Sequence, residues 1–338
     1  MRGRRFGRLA VPVAGVIMVA TGCQGTVAAV GSSVVTASVS RSSPHTSASS
    51  PYRTITVTDN TWTDSTDPNA IPLGDDMYGT TPEVGHLDSC QTSFSTTGGA
   101  TSSGAWLDTT NDTWSSVIKP VVQGSVTWKK AAFSVKTKGK TRIIKTDDLP
   151  KGEPTGTFPI SPSDPAYQYD QNPNTITKQN LTFDIPRDPT AAATPSCTSL
   201  GPIGVMDDGV VLLNALDAEG RDAGAHELLD LCQGHPMMAG MYHYHMVSSC
   251  IMPNTASSST LVGYAVDGYG IYVERNGAGD LPTDADLDAC HGRTSQVLFN
   301  NKVVTMYHYD ATTEYPYTVG CYHGTPAASP PMPGGDLP

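Results

Sequence analysis

Residues 239–250 read AGMYHYHMVSSC, and the order Tyr242, His243, Tyr244, His245 has a period of two. Side chains on a β-strand point to opposite faces in turn, so the spacing predicts a strand with both tyrosines on one face and both histidines on the other. Tyrosine rings are large apolar bodies with a hydroxyl at the edge, suited to packing against a second layer. Two imidazoles at i and i+2 stand close enough to share a small ion, and such nitrogen donors suit zinc or copper.

The signature returns downstream. GVMDDGVVLL from Gly204 lines up with GYAVDGYGIY from Gly263, placing Asp208 over Asp267. DLCQG at 230–234 lines up with DACHG at 288–292, and MYHYH at 241–245 with MYHYD at 306–310; the segments close on Cys250 and Cys321. The offset grows from 59 at the Asp-Gly pairs to 71 at the last cysteines, with the extra residues between matched blocks, as loop insertions fall. Two copies of a β-rich module, about 204–250 and 263–321, are expected about a pseudo-twofold axis. If that axis brings the two YHY strands together, His243, His245, His308 and Asp310 form one zinc or copper cluster. His235, His291, Tyr242, Tyr244, Tyr307, Asp208 and Asp267 would then support it from around. The opposing reading is that these histidines bond to carbonyls and carboxylates and lock the copies together without metal.

With 33 glycines, 26 prolines and short strand-like runs, the composition points to a mainly β fold with a few short helices, one large disulfide-braced domain. Short helices are expected within Ala223–Leu231 and after Thr283, where Asp286 stands three residues beyond a candidate N-cap. Lys129–Lys151 reads as a hairpin turning at KGK, its lysines guarding an exposed edge.

The first 22 residues, four arginines followed by a short apolar run, read as an export signal, and Cys23 as a site for lipid attachment to the cell envelope membrane. Residues 23–50 form a Ser/Thr/Ala tether, 51–199 an N-terminal β-rich part of the domain, and 325–338 a Pro/Gly-rich tail. Without the leader arginines, 17 basic residues face 32 acidic ones, a charge of about -15 that argues against nucleic acid as a partner. Six cysteines remain after Cys23, an even set in an exported chain. Pairing within copies gives Cys232 with Cys250 and Cys290 with Cys321, leaving Cys90 for Cys197; the spacing alone leaves the other connectivities open.

On LNALDAEGRDAGAHE, CQGHP, YHYH, GYAVDGYGIY and YHYDATTEYPYTVGC the chain resembles the bacterial YHYH protein family over roughly residues 200–324. The resemblance implies an exported globular domain and leaves the reaction open. Three weaker motifs compete with the metal reading. DAEGRD gathers Asp217, Glu219 and Asp222 in a glycine-containing loop that would suit calcium, without full EF-hand spacing. HELLD at 226–230 has half of a zinc-peptidase helix, lacking the second histidine. Asp208 and Asp267 could flank a bond as paired hydrolase carboxylates. A different class is a non-catalytic envelope module gripping a polymer or protein with exposed tyrosines; outward-facing Tyr242, Tyr244, Tyr315 and Tyr317 would favour it.

Overall fold

A computed structural model describes residues 54–95 and 103–330; the leader, Cys23, the tether and the last eight residues lie outside them. The main element is a nine-stranded sheet. Its strands are β1 (Thr54–Thr56), β2 (Gly204–Met206), β3 (Val211–Leu212), β4 (Gly234–Pro236), β5 (Tyr242–Tyr244), β6 (Ser258–Ala265), β7 (Gly270–Arg275), β8 (Gly292–Phe299) and β9 (Lys302–Asp310). They lie in the order β4-β5-β3-β2-β6-β7-β9-β8, with β1 added to one end of β6. The centre is made of small or branched apolar residues, Val205, Val211, Leu212, Val262, Ala265 and Ile271, buried as strands covered on both faces must be.

Pairing follows one scheme in both halves. β2 and β6 meet antiparallel at the centre. On one side β3 runs parallel to β5 and β4 antiparallel to it; on the other β7 runs parallel to β9 and β8 antiparallel to it. β5 and β9 are therefore not neighbours. Five inter-strand steps separate them, roughly 24 Å at the usual spacing.

The lysine-rich stretch forms the expected hairpin, Phe133–Lys138 against Thr141–Thr146, turning where Gly139 takes a φ of 59°. Leu181–Pro186 adds a third strand on its inner side, leaving the lysine strand as the exposed edge. Arg142 fastens this small sheet to the main one: its buried guanidinium lies 4.0 Å over the Tyr264 ring and donates to the carbonyls of Pro186, Arg187 and Gly268. Helices are single turns. Ala223–His226 is capped by Asp222, and a 3-10 turn at Asp284–Asp286 follows Thr283, whose N–H donates to Asp286 at 2.9 Å. All three expected disulfides form, Cys90–Cys197, Cys232–Cys250 and Cys290–Cys321.

Candidate metal centre

The tyrosines and histidines of β5 separate as the alternation requires. Tyr242 and Tyr244 are fully buried, their hydroxyls donating to Asp230 at 2.8 Å and Asp208 at 2.9 Å. On the other face, His243 Nδ1 lies 3.3 Å from the Met241 carbonyl and His245 Nδ1 2.5 Å from that of Asn214. Each carbonyl fixes the proton on Nδ1 and turns Nε2 inward. The two Nε2 atoms face each other at 3.2 Å.

Two more side chains enter this group. His235, directly opposite His243 in the β4–β5 register, brings its Nε2 to 2.7 Å from Glu227 Oε2, and His245 Nε2 lies 3.1 Å from the same oxygen. Neither contact has hydrogen-bond geometry: Glu227 Oε2 and both ring nitrogens of His235 are buried without a hydrogen-bond partner. Burial alone would raise the Glu227 carboxyl, but the imidazoles of His235 and His245 outweigh it and hold it well below the usual carboxylate range. For His245, Glu227 prevails over burial and raises the imidazole, whereas burial holds His243 well below its ordinary value. A proton on His245 Nε2 can serve Glu227 or His243, not both, and His235 Nε2 competes for the same Glu227 oxygen.

The group forms one wall of a cavity of about 420 Å³. Leu213, Leu216, Pro236 and Met237 supply apolar lining, and Asp170 and Asn172 a polar side. Asn172 Nδ2 donates to the Pro236 carbonyl at 2.9 Å, pinning the 170–174 segment to β4, and burial pushes the Asp170 carboxyl up to about 6.

His308 and Asp310 do not join. They lie on β9 with Glu274 of β7 in a second, fully buried group. Arg293 of β8 enters it, its Nε 3.0 Å from Asp310 Oδ2 and its Nη2 against Glu274 Oε2. Burial opposes a charge on His308, but Asp310 and Glu274 prevail and raise it to about 10. The expected single cluster of His243, His245, His308 and Asp310 is thus corrected to two groups, because the sheet places two full strand pairs between β5 and β9.

The remaining candidates take structural roles. Asp208 and Asp267 each accept a backbone N–H two residues on, from Val210 and Tyr269, and a tyrosine hydroxyl, from Tyr244 and Tyr309; they shape turns and do not flank a common cleft. His291 lies apart, its Nε2 3.0 Å from Thr312 Oγ1, and Tyr307 donates to Asp288. DAEGRD is no calcium cage: Asp217 is taken up by Arg221 and the N–H groups of Glu219 and Arg221, while Asp222 caps the 223–226 turn and accepts from Tyr317. In HELLD, His226 pairs with Asp75 at 2.9 Å and Asp230 holds Tyr242, so the peptidase helix does not exist. Tyr315 and Tyr317 are buried like Tyr242 and Tyr244, which removes the exposed tyrosine platform. Glu227, passed over in the sequence as part of a broken peptidase motif, is the carboxylate of the first group, and His235 belongs inside that group rather than around it.

Residues 182–285 match the family model described as YHYH protein, a span that holds all four members of the first group and stops short of His308 and Asp310. No curated protein and no solved structure matches the chain.

Proposed function

We propose that this chain, which belongs to the YHYH protein family through residues 182–285, is an exported protein holding one divalent transition metal, zinc or copper(II), between Glu227, His235, His243 and His245. The observation that carries this reading is the convergence of three imidazole nitrogens and one carboxylate oxygen, with neighbouring donor atoms at 2.7, 3.1 and 3.2 Å. Donors bound about 2.0–2.1 Å from one ion stand roughly 2.9–3.4 Å apart, which is close to that spacing. The second reading, a metal-free ion network, pairs Glu227 with His235 and His245, but it leaves His235 Nδ1 buried without a hydrogen-bond partner.

The cavity argues for a working ion rather than a structural one, since structural sites are closed by protein. When bound, the ion acts as a Lewis acid toward an oxygen donor. Leu213, Leu216 and Met237 suit the apolar part of a small molecule, and Asp170 and Asn172 its polar part. The hydroxyls of the tyrosines beside the histidines are spent on Asp230 and Asp208 across the sheet, so the donors fit zinc and copper(II) alike.

Elemental analysis of the purified exported protein tests this. Wild type should hold about one equivalent of zinc or copper, and the His243→Ala/His245→Ala variant, with its disulfides intact, close to none. Equal trace metal in both sinks the proposal.

Three disulfides fit an oxidising compartment, and no helix among the described residues is long and apolar enough to cross a membrane. We place the domain outside the cytoplasm, tethered to the envelope membrane by a lipid on Cys23. Cys23→Ser should move the protein from the membrane fraction to the soluble one; an unchanged distribution removes the anchor from the proposal.

A further inference from the structure

The two groups occupy equivalent places. His235 lies opposite His243 in the β4–β5 register, and Arg293 lies opposite His308 in the β8–β9 register. Leu212 of β3 is level with Tyr244, as Ile271 of β7 is with Tyr309. Tyr242 donates to Asp230 and Tyr307 to Asp288; Tyr244 donates to Asp208 and Tyr309 to Asp267. Met241 O faces His243 Nδ1 at 3.3 Å, and Met306 O faces His308 Nδ1 at 3.1 Å. Even the turns before β4 and β8 agree, with Gln233 at a φ of 64° and His291 at 66°. Position for position, His243 matches His308, His245 matches Asp310, and His235 matches Arg293.

We propose that the Glu274–His308–Asp310 group is a second copy of the metal centre in which Arg293 supplies the cation from within the chain, so that one substitution, Arg293→His, opens it to a second ion. This rests on the reading of the first centre as a metal site. The chemistry of the group carries it. Two fully buried carboxylates need positive charge, and the Arg293 guanidinium delivers it in place, bonded to Asp310, Glu274 and Asn60 Oδ1 and stacked 4.7 Å from the Trp62 ring. A guanidinium is permanently charged and donates only, so it takes up Asp310 Oδ2 and Glu274 Oε2, two of the oxygens a metal would bind, and leaves Asp310 Oδ1 and His308 Nε2 buried without a hydrogen-bond partner. The first centre has an imidazole at that position in place of a guanidinium, with His235 Nε2 2.7 Å from Glu227 Oε2. The first also borders a cavity, while Glu274, His308 and Asp310 of the second are fully buried beneath the partly exposed Arg293 side chain. A chain built this way keeps one working centre and one ionic brace.

The test compares zinc and copper content in wild type, Arg293→His and the reciprocal His235→Arg, each checked for native circular dichroism and complete disulfides. Arg293→His should hold one equivalent more than wild type. His235→Arg should fold and lose the ion, its guanidinium pairing with Glu227. A folded Arg293→His protein with wild-type content overturns the inference, as does wild type holding two equivalents. If Arg293→His does not fold, His235→Arg decides, and retention of its ion overturns the inference. Wild type without metal sinks the reading of the first centre, yet a gain of one equivalent in Arg293→His would still uphold the second.

Discussion

Tyr242 and His243 are adjacent in sequence and do separate work, because a strand sends them to opposite faces. Tyr242 closes a lock with Asp230, whose carboxylate also takes the N–H groups of Gly156, Cys232 and Gly234. Tyr242→Phe removes one donor and leaves a buried carboxylate oxygen less satisfied, a loss of about 1–3 kcal/mol. Urea unfolding should show that loss while metal content stays at the wild-type value, since the ring faces away from the histidines. Asp208 makes the parallel lock with Tyr244, and burial pushes its carboxyl up to about 6 against the bonds from Val210 and Tyr244. The folded chain then binds that proton more tightly than the unfolded one, whose aspartates titrate near 3.9. Its contribution to stability is complete below about pH 4, falls as pH rises, and is gone above about pH 6. Asp208→Asn should flatten that slope; melting temperatures at pH 4, 5, 6 and 7 that fall in parallel for variant and wild type would exclude it.

At the scale of the element, the centre depends on how closely β4 approaches β5. Gly234 leaves the space a Cβ would need to the Tyr242 ring, whose Cζ would stand 2.3 Å away. Gly234→Ala forces that ring outward at a cost of about 1–3 kcal/mol and displaces the next residue, His235. Both a lower unfolding midpoint and reduced metal content are expected; unchanged metal would show that His235 is not needed to hold the ion. These elements also mark what was legible. The two-residue period of MYHYH and the echo in MYHYD gave the strands and the face of each side chain, because both are local properties, and assigning two cysteines to each copy gave the disulfide pairing that spacing alone left open. Glu227 was not legible: it follows a one-turn helix and belongs to no strand, so no period marks it. Nor was the separation of β5 from β9, since strand order is set by pairings such as β2 with β6, which join residues about sixty positions apart.

Across the whole molecule, the segment that sequence left without a role proves to build one side of the site. Val122 N–H donates to the Leu229 carbonyl, Gly156 N–H to Asp230, and Asn172 to the Pro236 carbonyl, which ties three points of the segment to the chain around β4 and sets Asp170 in the cavity wall. This stretch lies inside the loop closed by Cys90–Cys197, 107 residues apart in sequence. Cross-linking a loop of about 100 residues removes unfolded-state entropy worth about 4.7 kcal/mol at most, and native bridges usually contribute about 2–5 kcal/mol. Local bonds at the closure, Cys90 N–H to Thr198 O and Thr198 N–H to Asp88 O, remain when the sulfurs are removed. The Cys90→Ser/Cys197→Ser variant should therefore fold and bind its ion at room temperature, with a guanidinium midpoint lowered by the equivalent of about 2–4 kcal/mol. Because the cavity wall hangs on that loop and the histidines do not, ligand access should change before the ion is lost on heating. Release of metal in step with the first unfolding signal would show instead that wall and centre melt as one unit.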